Sequence, residues 1–342
     1  MNICIDIGHP AHVHYFKNFI RLMRKDGHDF LITARNREQV FELLRYYNLD
    51  FVDRGSGSAN ISGKLLYMLK ADYLLYKHAK GFRPDLFLSF ASTYAAHASK
   101  LMGKPHIAFD DTEHAKFEHM LYQPFTDLVC TPACFNKDFG RKHRRFDGYM
   151  ELCHLHPNYF EPDETVLADL GVAPGEKYSV MRFISWNANH DTGHSGMSLD
   201  VKRRAVKELE KYGKVFISAE GKLPEEFAPY KLPVPSFKMH DVLYYASLLF
   251  GESGTMSTEA ALLGTPTVRV STLAKLLGNY KELRDTYELL YFYDSGEEGL
   301  ETALELISNG AKAEWQKRKQ RMLSEKVDVT RFMIETVLNL RN

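Results

Sequence analysis

The sequence predicts an α/β protein made of two doubly wound, parallel-sheet domains facing across a cleft. Three observations predict it. Short apolar runs alternate with amphipathic stretches of helical spacing, the mark of right-handed βαβ units. The alternation stops at 154–176, in a stretch containing prolines and glycines, and then restarts. Polar, ionisable residues gather directly after the apolar runs, where open α/β sheets bind ligands. A chain of 342 residues favours two such domains over one.

The first half reads as follows. "NICIDI" (2–7) is a buried strand. Residues 12–26 follow as a helix with Phe16, Phe19, Ile20 and Met23 on one face, until Gly27-His28 breaks it. "DFLITA" (29–34) is the next strand, 37–48 a helix, "FVDR" a short strand and 63–80 a helix. "DLFLSF" (85–90), "HIAFD" (106–110) and "DLVCTP" (127–132) are further strands. After the break, 178–184, 214–219, 248–253 and 267–270 read as strands, and 198–212, 239–247 and 256–263 as helices. The charged segment 313–341 reads as helical and is expected to close the molecule, returning toward the first domain. The expected organisation is an N-terminal domain over 1–156, a linker over 157–176, a C-terminal domain over 177–312 and terminal helices over 313–342. No low-complexity segment or short-period repeat is evident.

Composition narrows the function. Lys plus Arg equals Asp plus Glu at 44 each, so no global basic field exists for nucleic acid. The local run Arg141-Lys142-His143-Arg144-Arg145 reads as a solvated loop, or as a contact for phosphate or an anionic membrane surface. The four cysteines form no CxxC pair. Cys4 and Cys130 sit in apolar runs, as small hydrophobes do. The opening "MNICIDIGHP" has no charged-then-apolar leader, and no run reaches the length of a membrane span. A cytoplasmic protein is expected, with contact at the inner face of a membrane left open.

The stretch "GESGTMSTEAALLGTP" (251–266) carries the most chemistry. Gly254 permits a tight turn and close backbone approach. Ser253 and Thr255 add hydroxyls, and the helix that begins there presents unpaired N–H groups to a phosphate. Glu259 lies one helical turn beyond Thr255, placed to accept from a ribose diol. The plainer reading is a capped helix whose small residues pack on the sheet. Elsewhere, Gly8-His9-Pro10-Ala11-His12 follows the first strand and Ser89-Phe90-Ala91-Ser92-Thr93 the fourth. Asp110-Asp111-Thr112-Glu113 follows the fifth. These carboxylates suit a general base, or equally helix N-caps. Arg182 lies near the end of the first strand of the second half, and Trp186 and His190 follow it. Glu220 and Lys222 follow the next strand. His9, His12 and His14, and likewise Cys153, His154 and His156, lack the spacing of a zinc site.

"FGESGTMSTEAALLGTPTVRV" resembles the donor-site signature of GT-B-fold enzymes, the nucleotide-sugar glycosyltransferases and UDP-N-acetylglucosamine 2-epimerase. "GHPAHVHYFKNFIRLMRKDGHDFLITAR" is similar to the Gly-His loop and first helix of the lipid II N-acetylglucosaminyltransferase. The chain also looks like an uncharacterised prokaryotic branch of this superfamily, with "RFISWNANHDTGHSG" as that branch's own signature. The resemblance implies two Rossmann-like domains, with a nucleotide sugar, most simply a UDP-sugar, held by the second. Ser253, Gly254 and Thr255 match the diphosphate turn, with Thr in place of a second Gly, and Glu259 matches the ribose-binding glutamate. Arg182 and His190 would contact phosphate or sugar.

The first domain would then hold a glycan or lipid-linked glycan acceptor. His12, or a carboxylate among Asp110, Asp111 and Glu113, would take its proton. No cofactor and no catalytic metal are implied. The sequence departs from the epimerase after the fourth strand, where Ser89–Thr93 offers no carboxylate. After the fifth strand Asp110-Asp111 replaces a clear Glu. His190, in a loop comparable to that of the epimerase's catalytic histidine, keeps epimerisation as an alternative. A non-catalytic nucleotide-sugar or glycan-binding protein is the third reading.

Overall fold

The structure, a computed structural model, describes residues 1–57, 61–173, 175–184, 197–219, 221 and 223–340. Trp186, His190, Glu220 and Lys222, and most of the "RFISWNANHDTGHSG" run, lie outside the described residues. The chain divides into two compact units. One comprises Met1–Tyr159 with Val327–Asn342, the other Phe160–Lys326.

The first unit runs β1 (Asn2–Ile7), α1 (Pro10–Lys25), β2 (Asp29–Ala34), α2 (Glu38–Tyr46), β3 (Val52–Asp53), α3 (Ile61–Phe82), β4 (Leu86–Phe90), α4 (Thr93–Met102), β5 (His106–Phe109), α5 (Lys116–Tyr122), β6 (Leu128–Pro132), β7 (His143–Phe146) and α6 (Leu152–Leu155). Its sheet is ordered β3-β2-β1-β4-β5-β6-β7 and every pairing is parallel. β1 is buried along almost its whole length, as a strand covered by helices on both faces must be. Pro10 opens α1, where a missing N–H costs nothing, so the helix begins earlier than its apolar spacing alone predicts.

The second unit runs α7 (Thr165–Asp169), β8 (Tyr178–Phe183), α8 (Leu199–Leu209), β9 (Lys214–Ala219), α9 (Met239–Tyr245), β10 (Leu248–Gly251), α10 (Gly254–Leu262), β11 (Thr267–Val270), α11 (Gly278–Asp285), β12 (Tyr291–Tyr293), α12 (Gly296–Ser308) and α13 (Lys312–Glu325). Its sheet is ordered β12-β11-β10-β8-β9, again all parallel. Met181, Phe183, Val215, Ile217, Phe250 and Val268 form its core with Val201, Ala205 and Leu300 of the covering helices.

The chain ends in α14 (Val329–Asn339), which belongs to the first unit, whereas α13 belongs to the second. α14 packs on α1 and α6. Asn18 of α1 and Thr330 of α14 both donate to the Cys153 carbonyl, each at 2.9 Å. No helix among the described residues is long and apolar enough to cross a membrane.

The basic run at 141–145, read from sequence as a loop, is largely the edge strand β7. Charge on an edge strand discourages pairing with a second sheet. Two of the cations of the run also have local acceptors: Arg145 donates to the carbonyls of Phe135 at 2.5 Å and Lys137 at 2.6 Å, and Lys142 to that of Thr126 at 2.7 Å.

Deleting residues 327–342 uncovers the sites that bury Val329, Met333 and Val337. At ~1.5–3 kcal/mol for each buried aliphatic side chain, the loss rivals the ~5–15 kcal/mol that holds a typical domain folded. The truncated protein is expected to lose the cooperative urea transition of its first unit. A transition unchanged in midpoint would show that α14 contributes nothing.

Candidate active site

In the second unit the strand order is the flavodoxin-like one, and it reverses between β8 and β10. Ligands bind outside the carboxyl ends of strands at such a switch point. The loop that leaves β10 there is Glu252-Ser253-Gly254. Gly251, at the end of β10, is paired with Arg182 of β8. A Cβ at this position would lie 2.2 Å from the Arg182 carbonyl oxygen, so only glycine fits. Glu252 then turns its side chain inward. Its carboxylate accepts the N–H of Ile184 at 3.0 Å and of Met197 at 2.6 Å, and pairs with Lys202 at 3.3 Å. One buried carboxylate therefore fixes the chain on both sides of the 185–196 segment.

Ser253 is the N-cap of α10, yet its side chain makes no capping hydrogen bond. The other serine caps behave differently: Ser92, Ser198 and Ser295 accept from Ala95, Val201 and Glu298 at 3.2, 3.2 and 3.4 Å. Among the described residues no side chain accepts from the first-turn N–H groups of α10. That end of the helix carries partial positive charge and unsatisfied donors. Gly254 does not have the left-handed backbone that would require glycine. It is instead needed for space: a Cβ there would sit 3.2 Å from Tyr280 Oη and 3.4 Å from Arg269 Nη2. Tyr280 donates to the Gly254 carbonyl at 2.6 Å and so holds the turn from below. Thr255 is partly exposed at the helix start.

Glu259 is 6 % exposed, with Oε1 3.1 Å from His240 Nε2 of α9. It lies on the same helix as the turn but is engaged by a histidine that the sequence did not single out. Arg182 donates to Ser218 of β9 at 2.8 Å, on the side of β8 away from β10. His190 lies outside the described residues.

In the first unit the switch point falls between β1 and β4. The β1 loop brings His12 close to Phe90, with ring centroids 4.8 Å apart. The Gly8 N–H donates to His12 Nδ1 at 3.3 Å, so the neutral ring carries its proton on Nε2. Burial, then His9 and the Arg54 and Arg37 charges, hold the His12 pKa well below its usual value. His12 is thus a neutral donor through Nε2 and a poor proton acceptor.

Beneath it, Asp6 of β1 accepts from Thr33 at 2.8 Å, Ser92 at 2.5 Å and Arg54 at 2.7 Å. Arg54 also lies 4.3 Å from the centre of the Tyr94 ring. Asp6, on a neighbouring strand, thus places a buried carboxylate against Ser92 of the Ser89–Thr93 loop. Ala91 holds φ at 45°, a strained value for a residue with a Cβ, at the end of β4.

The carboxylates after β5 separate into different environments. Asp110 is buried and closed off: it accepts from Thr112 N–H at 2.9 Å, His119 Nε2 at 2.9 Å and Tyr122 Oη at 2.7 Å. Lys137 donates to His119 Nδ1 at 3.0 Å, which completes the chain. Glu113 accepts from the Asn136 N–H at 3.4 Å and is also buried. Asp111 is only partly buried, and Thr112 Oγ1 donates to it at 3.1 Å. Desolvation first, then the Asp110 charge, raise its pKa to about 7. A carboxyl that titrates near neutrality suits proton transfer.

Two stability measurements follow. In Glu252→Ala, Lys202 loses this carboxylate and two N–H groups lose their acceptor. The expected loss is about 3–5 kcal/mol, read from the urea midpoint; Glu252→Gln, which keeps an acceptor oxygen, should lose less. Equal losses would remove the charge pair from the account. For Asp111 the folded pKa lies above the ordinary 3.8, so the folded state binds the extra proton and stability falls as pH rises from about 4 to about 7. Asp111→Asn is expected to gain thermal stability over the wild type at pH 8 and to match it at pH 4. A gain of equal size at both values would contradict the raised pKa.

The same fold occurs in proteins of known structure. The UDP-GlcNAc 2-epimerase of Neisseria meningitidis, solved with UDP-GlcNAc bound, superposes with a TM-score of 0.67 at 10 % identity, covering 99 % of this chain and 100 % of that one. SsfS6, a glycosyltransferase of Streptomyces sp. SF2575, superposes with a TM-score of 0.59 at 15 % identity, covering 97 % and 99 %. These likenesses establish the GT-B fold. In sequence, the uncharacterised protein MJ0665 of Methanocaldococcus jannaschii is 24 % identical over 307 residues, which are 86 % of this chain and 88 % of that protein. With residues 1–342 matched throughout, the chain belongs to the family described as Protein of unknown function (DUF354).

Proposed function

We propose that this protein transfers a sugar from a nucleotide-sugar donor to a hydroxyl acceptor. The observation that carries the reading is the start of α10: an N-terminus at the switch point of the second unit whose serine cap leaves its N–H groups unused. Backbone donors and a helix dipole suit a diphosphate, whose charge grows as the glycosidic bond breaks. Ser253, Gly254 and Thr255 bind this group, and Glu259 accepts from the ribose hydroxyls. UDP is the nucleotide most in keeping with the epimerase that shares the fold.

Asp111 serves as the general base on the acceptor side, because its raised pKa makes it a stronger base than an ordinary carboxylate while leaving it ionised just above neutrality. The acceptor hydroxyl gives its proton to Asp111 and its oxygen bonds to the anomeric carbon. The bond from that carbon to the diphosphate breaks, and its electron pair leaves with the diphosphate. His12 donates through Nε2 to an acceptor oxygen and moves no proton of its own. The setting is surface polysaccharide or glycoconjugate synthesis, with a glycan or lipid-linked glycan as acceptor.

Epimerisation of the same donor is the second reading, favoured by the fold shared with an enzyme solved with UDP-GlcNAc. Incubation with UDP-N-acetylglucosamine and no acceptor separates the two: transfer predicts intact donor, and accumulation of the 2-epimer would overturn it. Turnover with acceptor is expected to rise with pH along a limb near 7. Asp111→Asn should abolish that limb and lower kcat about 100- to 10,000-fold, with donor affinity unchanged. Glu259→Ala should weaken donor binding about 10-fold or more, the worth of a hydrogen bond to a charged group. Unchanged binding by calorimetry would remove Glu259 from the site.

A further inference from the structure

We infer that Arg269 is the cation that receives the anionic group at the α10 turn. The inference rests on the reading above for the identity of that group, a nucleoside diphosphate, but not for the existence of the site. Arg269 lies in β11, in the middle of the apolar run "TVRV", and is 7 % exposed. Its guanidinium is always ionised. A buried charge costs several kcal/mol unless it is paired, and nearby in the same unit Lys202 has Glu252 as its partner.

Arg269 has no such partner: among the described residues no carboxylate pairs with it. Its Nε donates to the Glu252 carbonyl at 3.2 Å, and its plane lies over Tyr280, 4.6 Å from the ring centre. Its Nη1 is buried with no hydrogen-bond partner. Neither a neutral carbonyl nor a ring face neutralises the charge.

Position supplies what is missing. The guanidinium lies against Gly254: a Cβ there would be 3.4 Å from Nη2 and 3.6 Å from Cζ. The absent side chain thus brings the first residue of α10 and the guanidinium together. Two positive features, the uncapped helix N-terminus and an unpaired arginine, converge on one turn. The carboxylate of Glu252, whose carbonyl holds Nε, is turned away to Ile184, Met197 and Lys202. An arrangement with donors and charge but no anion fits an anionic ligand. The planar fork of arginine favours two oxygens of a phosphate or diphosphate over a single carboxylate oxygen. The two supports of the guanidinium, Tyr280 and the Glu252 carbonyl, hold it ready before the ligand arrives.

Calorimetric titration of the full chain with inorganic pyrophosphate and with UDP tests the site. Wild type is expected to bind both, more weakly as salt is raised. Arg269→Met should bind both about 10- to 100-fold more weakly while keeping a cooperative urea transition with an unchanged slope. Arg269→Lys keeps the charge without the fork and should fall between the two; it carries the test if the methionine variant does not fold. Pyrophosphate binding to Arg269→Met at wild-type affinity overturns the inference, as does a wild type that binds neither probe. If wild type binds pyrophosphate through Arg269 but gains nothing from the nucleoside, the anion site stands and the nucleotide-sugar reading falls. If UDP binds Arg269→Met as tightly as wild type, the nucleotide reading stands and this inference falls.

Discussion

Every strand pairing in both sheets is parallel, and that single constraint arranges the rest. Parallel strands cannot be joined by a tight hairpin; each needs a crossover, and the crossover is usually a helix. Within a unit, all strands then end on one edge and the helices that follow begin there. Helix N-termini, with their unsatisfied N–H groups, collect on that edge beside the loops that carry ionisable residues. Where the strand order reverses, neighbouring crossovers leave on opposite faces and a crevice opens. β1 and β4 flank that crevice in the first unit, β8 and β10 in the second. Site geometry in each unit is in this sense a consequence of backbone hydrogen bonding.

The buried charges around the two crevices divide into closed and open groups. Asp6 with Arg54 and Glu252 with Lys202 are closed by a charged partner and further hydrogen bonds, and Asp110 is closed by donors from His119, Tyr122 and the Thr112 N–H. Such groups hold loops. Glu252 fixes the chain either side of 185–196, and Asp6 ties β1 to β2, to the residue after β3 and to the N-cap of α4. Asp111 and Arg269 are open. One is a carboxyl kept near neutral pKa by burial and by a like charge; the other is a cation with no anion. Closed groups around open ones fit a site in which rigidity and reactivity fall to different residues.

The order of strands and helices was legible because buried parallel strands read as unbroken apolar runs and their crossover helices as amphipathic ones. β7 and β12 were not, because an edge strand need not be apolar and "HRRF" and "YFY" are short. The turn at Ser253–Thr255 was legible from its small residues, although Gly254 serves for space and not for its backbone angle. Arg269, Asp6 and Arg54 were passed over. The signal for two of them was present: a charge inside "TVRV" and inside "NICIDI" contradicts a strand buried on both faces, and such a contradiction marks a site more often than an accident. The choice among Asp110, Asp111 and Glu113 needed coordinates, since it turns on which carboxylate a distant histidine and tyrosine already occupy.

α10 shows how composition serves such a site. Most crossover helices bury one face, but α10 is buried from Met256 to Leu262. Serine, threonine and alanine let it lie close against the strands that flank it, which fixes where its partly exposed N-terminus sits. A larger residue at Ala260 or Ala261 would push the helix out and separate the first-turn N–H groups from Arg269. The burial of the helix from Met256 onward lowers the local dielectric and so strengthens electrostatic contacts made at its start. In the proposed reaction the leaving diphosphate gathers charge there, and the protein meets it with donors and a guanidinium already in place. The small-residue run after the turn is therefore part of the binding device, since it fixes where the donors sit.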